Sequence, residues 1–325
     1  MIPWFTYSRP NSLKDAVKQL SVPGTRLHAG GTDLLGCLRD GVVAADKLVS
    51  ISHLAELRGI TRTGNGSVRI GALTTLTEIA EHPYIMEHYA ALSQGASSAA
   101  SPQLRNQGTI GGNISQRPRC WYFRGDFHCL RKGGEACYAV AGENQFHCIV
   151  GGQSCFIVHP SDTAPALVAL EARVRITGPQ GTRTLPLESF FVGPQKDFTR
   201  ENVLDAGDIL TEILLPAPAA NHRSSYRKVR ARGAWDFALA GVALSVRFSN
   251  GIVQLARIVL SGVAPVPWRV REAEKIVTGK EIDDETASQA AAACVKDAVP
   301  LAKNEYKLHL VRGVVEEALL AMKQA

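Results

Sequence analysis

The chain has 325 residues, of which 45% are hydrophobic and 20% are charged, the balance of an ordinary soluble globular protein. The net charge is +6, but no run of five or six lysines and arginines occurs, so we do not expect a nucleic-acid-binding protein. The sequence has no stretch of about 18 apolar residues, so we expect no membrane insertion. The length indicates two domains.

The N-terminal stretch MIPWFTYSRPNSLKDAV lacks the apolar region of a secretory signal, so we expect a cytoplasmic protein. Residues 3–28 are predicted to form a short strand, a helix and a second strand. The helix places Leu13, Val17 and Leu20 on one face, and Ser12 precedes it as the predicted N-cap. The second strand runs into the glycine-containing stretch AGGTDLL.

The remaining elements alternate strands with helices. DKLVSIS and SVRIGALTTL are predicted strands, and TTLTEIAEHPYIMEHYAALSQGASSAA is predicted to be helical in two pieces, broken at Pro83. HPSDTAPALVALEARVRIT indicates a helix and a strand. ILTEILLPAPAANHRSS ends a strand and enters a Pro/Ala/Ser link, which places the domain boundary near residue 220.

The C-terminal third is predicted to contain antiparallel strands with SNG as a hairpin turn, followed by two closing helices, DETASQAAAACVKDAV and NEYKLHLVRGVVEEALLAMKQA. Strands at short spacing with helices packed on them indicate an α+β protein.

Two glycine turns share one chemistry: AGGTDL (Ala29–Leu34) and TIGGN (Thr109–Asn113). Glycine lets a backbone approach a ligand closely, and consecutive N–H groups can form an anion-binding nest. Together the two turns could hold the two phosphates of a dinucleotide. The alternative is a pair of plain structural turns, and neither stretch fits the G-x-G-x-x-G fingerprint.

Five of the seven cysteines lie between Cys120 and Cys155, with the spacing C-x8-C-x7-C-x10-C-x6-C. Clustered cysteines in a reducing compartment favour metal or redox chemistry over disulfides. No C-x2-C occurs, so spacing alone leaves the metal open. A zinc site would use four thiolates, or three thiolates and one imidazole from His128, His147 or His159. Cys37 and Cys294 are predicted to be packing residues.

Four motifs in order, AGGTDL, QLRNQGTIGGNI, PSDTAPAL and YRKVRARGAWDFALAGVA, resemble the FAD-binding subunit of the molybdenum hydroxylases. That family includes the medium chains of carbon monoxide dehydrogenase, xanthine dehydrogenase and bacterial aldehyde oxidoreductases. The resemblance spans nearly the whole chain. It implies an FAD-binding domain of the p-cresol methylhydroxylase type over residues 1–220, with two α/β subdomains over roughly 1–60 and 61–220. A smaller α/β C-terminal domain of antiparallel strands and helices would cover residues 221–325.

The resemblance also implies FAD-binding positions. The two turns would bind the diphosphate, and three later residues would touch the flavin. The implied set is His28, Ala29, Gly30, Gly31, Thr32, Asp33, Leu34, Leu35, Thr109, Ile110, Gly111, Gly112, Asn113, Asp162, Leu210 and Lys228.

The cysteine segment is similar to an insertion found in two branches of the family. Asn113 and Asp162 stand 49 positions apart, far more than in the common form, and residues of about 114–160 fill the gap. In the aldehyde oxidoreductase and 4-hydroxybenzoyl-CoA reductase branches this insertion is thought to hold a [4Fe–4S] cluster. The likeness to the first branch implies Cys120, Cys129, Cys137 and Cys155 as ligands, whereas the second would use Cys148 in place of Cys129. Basic residues and glycines accompany the cysteines: Arg117, Arg119, Arg124, Arg131, Lys132, Gly133, Gly134, Gly151 and Gly152.

No acid–base set or activated nucleophile is visible, which is typical of a subunit that moves electrons. The resemblance implies that a large molybdenum-cofactor subunit oxidises the substrate and a small [2Fe–2S] subunit relays electrons to FAD, which passes them to an external acceptor. The alternatives are a 4-hydroxybenzoyl-CoA reductase-like subunit with reverse electron flow, a standalone flavin enzyme, and a zinc-stabilised nucleotide-binding module without redox activity. In relatives of this kind a tagged partner can carry the folded chain to the periplasm.

Overall fold

A computed structural model of the protein describes residues 2–324. The first part is a three-stranded parallel sheet of order β1-β3-β2. Its strands and helices are β1 (Thr6–Ser8), α1 (Leu13–Leu20), β2 (Thr25–His28), α2 (Leu34–Arg39) and β3 (Lys47–Ser50). The predicted cap of α1 is confirmed, because the Ser12 side chain accepts a hydrogen bond from the Asp15 N–H at 3.1 Å.

The second part is a five-stranded antiparallel sheet of order β4-β5-β8-β6-β7. Its strands are β4 (Ile60–Arg62), β5 (Val68–Gly71), β6 (Arg173–Gly178), β7 (Gly181–Pro186) and β8 (Ile209–Leu215). The helices between β5 and β6 are α3 (Leu76–Glu81), α4 (Pro83–His88), α5 (Ala90–Ser98), α6 (Pro102–Arg105), α7 (Ile110–Ile114), α8 (Trp121–Arg124) and α9 (Thr163–Ala169).

The helical stretch around Pro83 has one more break than predicted. It ends and restarts at Pro83 as expected, but a second break falls at Tyr89, which leaves the helical conformation at φ −136° and ψ 49°. The Tyr89 hydroxyl donates a hydrogen bond to the Pro216 carbonyl at 2.6 Å, so a tertiary contact fixes the break.

The C-terminal part is a four-stranded antiparallel sheet of order β12-β11-β10-β9 with helices packed on it. Its elements are β9 (His222–Val229), β10 (Ala240–Ser249), β11 (Ile252–Ser261), β12 (Trp268–Arg269), α10 (Arg271–Val277), α11 (Asp284–Ala293) and α12 (Tyr306–Gln324). The predicted hairpin turn is confirmed: Asn250 and Gly251 both have positive φ, at 49° and 79°, between β10 and β11.

Two expectations for this region were wrong. The stretch HRSS belongs to β9 instead of the predicted link, because its backbone pairs with β10. Helix α10 was not predicted; it has only seven residues and its N-cap, Val270, offers no side-chain hydrogen bond. Short helices without a capping signal give little for a sequence pattern to detect.

The mixed α/β fold with an antiparallel C-terminal sheet confirms the predicted fold class. The largest hydrophobic core joins the five-stranded sheet to the C-terminal sheet, since Tyr226, Ala243 and Val259 pack into it. The second core lies within the C-terminal part, between its sheet and its helices. Between Ile2 and Gln324, no helix is long and apolar enough to cross a membrane.

The predicted insertion, residues 114–160, is mostly irregular backbone that the C-terminal part holds in place. Asn304 donates to the carbonyls of His147 and Cys148 at 3.1 and 3.3 Å, and the Tyr306 hydroxyl donates to that of Gln145 at 2.8 Å. Buried irregular backbone needs such partners because it lacks the regular backbone hydrogen bonds of a helix or a sheet.

Candidate functional site

The first glycine turn follows β2 and packs directly against the backbone that leads into the second. A side chain at Gly30 would place its Cβ 1.9 Å from the Gln107 carbonyl oxygen, and Gly31 has a φ of +75°. A residue with a Cβ cannot occupy the first position without moving the neighbouring backbone, and only glycine adopts the second conformation freely. The two turns therefore form one wall, although some 80 residues separate them in the sequence.

The second glycine turn is fixed by the backbone that precedes α3. The Ile110 N–H donates to the Thr74 carbonyl and the Gly111 N–H to the Ala72 carbonyl, each at 2.9 Å. At its end, the Asn113 side-chain oxygen accepts hydrogen bonds from Ser161 and Thr163, at 2.5 and 2.7 Å. Asn113 thus ties the turn to the start of α9.

Both turns line a cleft of about 1340 Å³. Thirteen of the sixteen predicted FAD positions lie on its wall: Ala29, Gly30, Gly31, Thr32, Asp33, Leu34, Leu35, Thr109, Gly111, Gly112, Asn113, Asp162 and Leu210. Within residues 2–324, the other three, His28, Ile110 and Lys228, do not line it. The volume and the glycine-lined wall fit a ligand as large as a dinucleotide.

Asp162 brings a buried ion pair to the cleft. Its two carboxylate oxygens accept hydrogen bonds from the Tyr226 hydroxyl at 2.7 Å and the Lys228 ammonium at 2.8 Å. Burial raises the pKa of the Asp162 carboxyl, and Lys228 opposes that effect. Lys228 also donates to the Ser98 carbonyl at 3.0 Å, so it reaches the cleft only through Asp162.

Asp33 connects the first turn to the insertion. Its carboxylate accepts hydrogen bonds from the Arg117 N–H and the Arg124 guanidinium, both at 2.8 Å, and from the Arg119 guanidinium. Burial alone would raise the pKa of Asp33, but Arg119 and its neighbours outweigh that effect and lower it.

Three arginines of the insertion line the same cleft, a role the sequence did not predict. Arg117, Arg119 and Arg124 all lie on the cleft wall, beside the two glycine turns. The sequence suggested that they surround the cysteines; the structure places their side chains at Asp33, Glu201 and Phe237 instead. A cationic edge beside two glycine turns suits a diphosphate, because guanidinium groups recognise phosphate oxygens. The only feature of the sequence that could have indicated this role is the group of arginines around Cys120.

Four cysteines of the insertion line a second, small cavity. Cys120, Cys129, Cys137 and Cys155 share it, together with Arg131 and His147, whose Nε2 lies 3.3 Å from the Cys120 sulfur. Cys148 is fully buried but is not among the described residues that line this cavity. The four cysteines brought together are the set implied by the aldehyde oxidoreductase branch.

The cysteine cavity differs from a site for a single metal ion. Among the described residues, no group of three or more Cys, His, Asp or Glu side chains is close enough to hold one ion. Burial raises the pKa of Cys120 to about 12 and raises that of Cys155, which Arg131 opposes. Burial also lowers the pKa of His147 to about 4. Thiols in this environment keep their protons unless a bound metal displaces them.

Several polar atoms at the cysteine cavity are buried without a hydrogen-bond partner in the described chain. They are Nε and Nη1 of Arg131 and Nδ1 of His147. The two Arg131 groups are donors, and buried donors are normally paired, so their position suggests an acceptor in the cavity.

Comparison with known proteins assigns the family. Residues 3–218 match the family described as "FAD binding domain in molybdopterin dehydrogenase", and residues 224–322 match "CO dehydrogenase flavoprotein C-terminal domain". The aldehyde oxidoreductase FAD-binding subunit PaoB of Escherichia coli K12 is 35% identical over 97% of both chains. The putative xanthine dehydrogenase FAD-binding subunit XdhB of the same organism is 30% identical, over 99% of this chain and 98% of that one.

A solved structure gives the same assignment. Carbon monoxide dehydrogenase from Hydrogenophaga pseudoflava contains a chain that is 30% identical, with a TM-score of 0.79, covering 99% of this chain and 98% of that one. The resemblance found in the sequence is therefore confirmed at the level of family and fold. The chain belongs to the FAD-binding subunits of the molybdenum hydroxylase family and is the flavoprotein subunit of an oxidoreductase.

Proposed function

We propose that this chain is the electron-transfer subunit of a molybdenum-containing hydroxylase complex. A large subunit with the molybdenum cofactor oxidises the substrate, and a small [2Fe–2S] subunit passes the electrons to FAD on this chain. An external acceptor then receives them. The observation that carries the proposal is the meeting of both glycine turns in one cleft of about 1340 Å³. The division into residues 1–220 and 221–325 is part of the proposal.

In that cleft, the chain's own residues bind and orient the cofactor. The backbone N–H groups of the first turn, at Gly30 and Gly31, would hold the diphosphate, Gly112 of the second turn would let the backbone approach it closely, and Arg119 and Arg124 would neutralise its charge. Asp33 fixes both guanidinium groups through its carboxylate. FAD, when bound, accepts electrons in pairs or singly and so can link an iron–sulfur donor to a different acceptor.

The flavin end of the cleft is assigned to Asp162 and Leu210. Leu210 is 5% exposed and offers an apolar surface on which a ring can pack. Lys228 holds the Asp162 carboxylate from behind at 2.8 Å and so sets its orientation and charge. A fixed charge near the flavin ring shifts the flavin's reduction potential, which is how a protein tunes this cofactor.

Substrate-dependent flavin reduction tests the electron-transfer role. The purified chain mixed with an aldehyde under anaerobic conditions should keep its oxidised flavin absorbance, because it contains no molybdenum site. The same chain assembled with its large and small subunits should be bleached by that substrate. Bleaching of the isolated chain would instead indicate a standalone flavin enzyme and would contradict the proposal.

The second part of the proposal is a [4Fe–4S] cluster in the insertion, held by Cys120, Cys129, Cys137 and Cys155. Four thiolates are the usual ligand set of such a cluster. A zinc ion would draw its four sulfurs to about 3.8 Å from one another, given zinc–sulfur bonds of about 2.3 Å. A cluster would bind each thiolate through a separate iron, so its four ligands would not have to converge on a single ion. The unpaired Nε and Nη1 donors of Arg131 suit the cluster's anionic sulfurs.

Matched cysteine substitutions test the ligand set. Cys129 and Cys148 are both buried, but only Cys129 lines the cavity in the described chain. Cys129→Ser should lower the iron content and the visible absorbance of the cluster, whereas Cys148→Ser should keep about four iron atoms per chain. If Cys148→Ser loses the iron and Cys129→Ser retains it, the proposed ligand set is wrong.

A further inference from the structure

Arg131 is a buried cation whose donors are only partly used. Its side chain is 1% exposed, its Nη2 group pairs with the Glu201 carboxylate, and its guanidinium lies over the Phe123 ring at 5.5 Å. Its Nε and Nη1 groups are buried and make no hydrogen bond of ordinary geometry among the described residues, although the guanidinium lies close enough to the Cys155 sulfur to oppose the rise in the pKa of that thiol. Leaving charged donors unpaired in the interior is unfavourable, and more so than for neutral groups.

The Arg131 side chain borders the same cavity as the four cysteines Cys120, Cys129, Cys137 and Cys155. An anionic group in that cavity would supply the acceptors that the guanidinium lacks. The charge balance points the same way. Arg131 and Arg117 both pair with Glu201, so neither cation has that carboxylate to itself.

We propose that Arg131 donates hydrogen bonds to the iron–sulfur cluster and raises its reduction potential. This inference rests on the proposed function, because it requires the cluster to be present. One-electron reduction adds a negative charge to the cluster, and a nearby cation stabilises the reduced form more than the oxidised form. Hydrogen bonds to the sulfurs act in the same direction.

Arg117 provides a closely matched control. It also pairs with Glu201, at 3.0 Å, and also lies over Phe123, at 5.1 Å. Of the two, only Arg131 lines the cysteine cavity; Arg117 lines the FAD cleft. A purely structural role through Glu201 and Phe123 would be shared by both arginines, whereas a direct effect on the cluster belongs to Arg131 alone.

The experiment is a redox titration of the full chain in its complex, followed by the electron paramagnetic resonance signal of the reduced cluster. Arg131→Gln should lower the equilibrium constant for one-electron reduction of the cluster about tenfold, which is a fall of about 59 mV in its reduction potential. Arg117→Gln should shift the potential by much less. Iron content of each variant is measured alongside and does not depend on turnover.

Each outcome decides between the alternatives. A shift in Arg131→Gln no larger than that in Arg117→Gln overturns the inference and leaves the proposed cluster intact. If Arg131→Gln does not retain iron, the pair Arg131→Lys and Arg117→Lys is titrated; a lower potential in Arg131→Lys supports the inference, and equal potentials overturn it. A wild-type protein without an iron–sulfur signal overturns both the cluster and the inference.

Discussion

Gly30 is the position at which the cleft depends most directly on the absence of a side chain. The Gln107 carbonyl oxygen would lie 1.9 Å from an added Cβ, and this atom belongs to the backbone that leads into the second turn. Any larger residue must therefore push the two turns apart. Since both turns line the cleft, the same displacement should disturb cofactor binding.

We predict that Gly30→Ala destabilises the protein by about 1–3 kcal/mol, the usual cost of overpacking, and lowers the amount of FAD that copurifies with it. Urea unfolding and the flavin absorbance of the purified chain measure the two effects.

Gly313→Ala is the matched control, because Gly313 lies in α12 with no heavy atom within 4 Å of an added Cβ. It should keep the flavin and gain up to about 1 kcal/mol of stability, the helix-propensity difference between the two residues. A Gly30→Ala protein with wild-type stability and flavin content would contradict the proposed packing of the turns.

The sequence predicted which residues line the cleft better than it predicted what their side chains do. The glycine patterns, whose backbone requirements leave a local signature, pointed to the two turns, and the family resemblance added Asp162 and Leu210; together they account for the thirteen residues on the wall. The engagement of Asp33 with Arg119 and Arg124 was not predictable, since these residues meet only after folding. The ion pair between Lys228 and Asp162 was not predictable for the same reason.

At the scale of elements, the beginning of α12 is one of the parts of the C-terminal domain that hold the insertion. Lys307 is fully buried there, and its ammonium donates to the carbonyls of Phe146 and Gly262 at 3.1 and 2.7 Å. The motifs predicted the insertion and the helix separately. Their contact was not predictable, because the insertion is irregular backbone with no periodic pattern.

Lys307 should make stability depend on pH in a defined direction. Burial lowers the pKa of Lys307 from 10.5 to about 7 in the folded protein. Between these values the unfolded chain binds one more proton than the folded chain, so this residue makes the folded state more stable as pH rises from about 7 toward 10.5. The slope from one such proton is at most about 1.4 kcal/mol per pH unit.

We predict that Lys307→Met reduces this rise in the free energy of unfolding between about pH 7 and pH 10, measured by urea titrations at several pH values. Lys303→Met removes a half-exposed lysine from the same segment, one that pairs with Glu143, and should leave the slope as in the wild type. Equal slopes in the wild type and Lys307→Met would show that Lys307 does not titrate in this range.

At the scale of the whole molecule, the FAD cleft and the cysteine cavity are linked by one set of contacts. Arg131 borders the cavity and pairs with Glu201, which also binds Arg117 at 3.0 Å, and the Arg117 N–H donates to Asp33 in the cleft at 2.8 Å. The sequence indicated this proximity, because the insertion lies between Asn113 and Asp162, and both residues line the cleft. Fold and family were predictable from four motifs in order, whereas this network depends on tertiary packing.

The most direct test of the account is the flavin, iron, acid-labile sulfide and zinc content of the purified full-length chain. The account predicts one FAD and about four iron and four sulfide per chain, as one [4Fe–4S] cluster requires, with no stoichiometric zinc. A chain that contains zinc but neither iron nor flavin would contradict it.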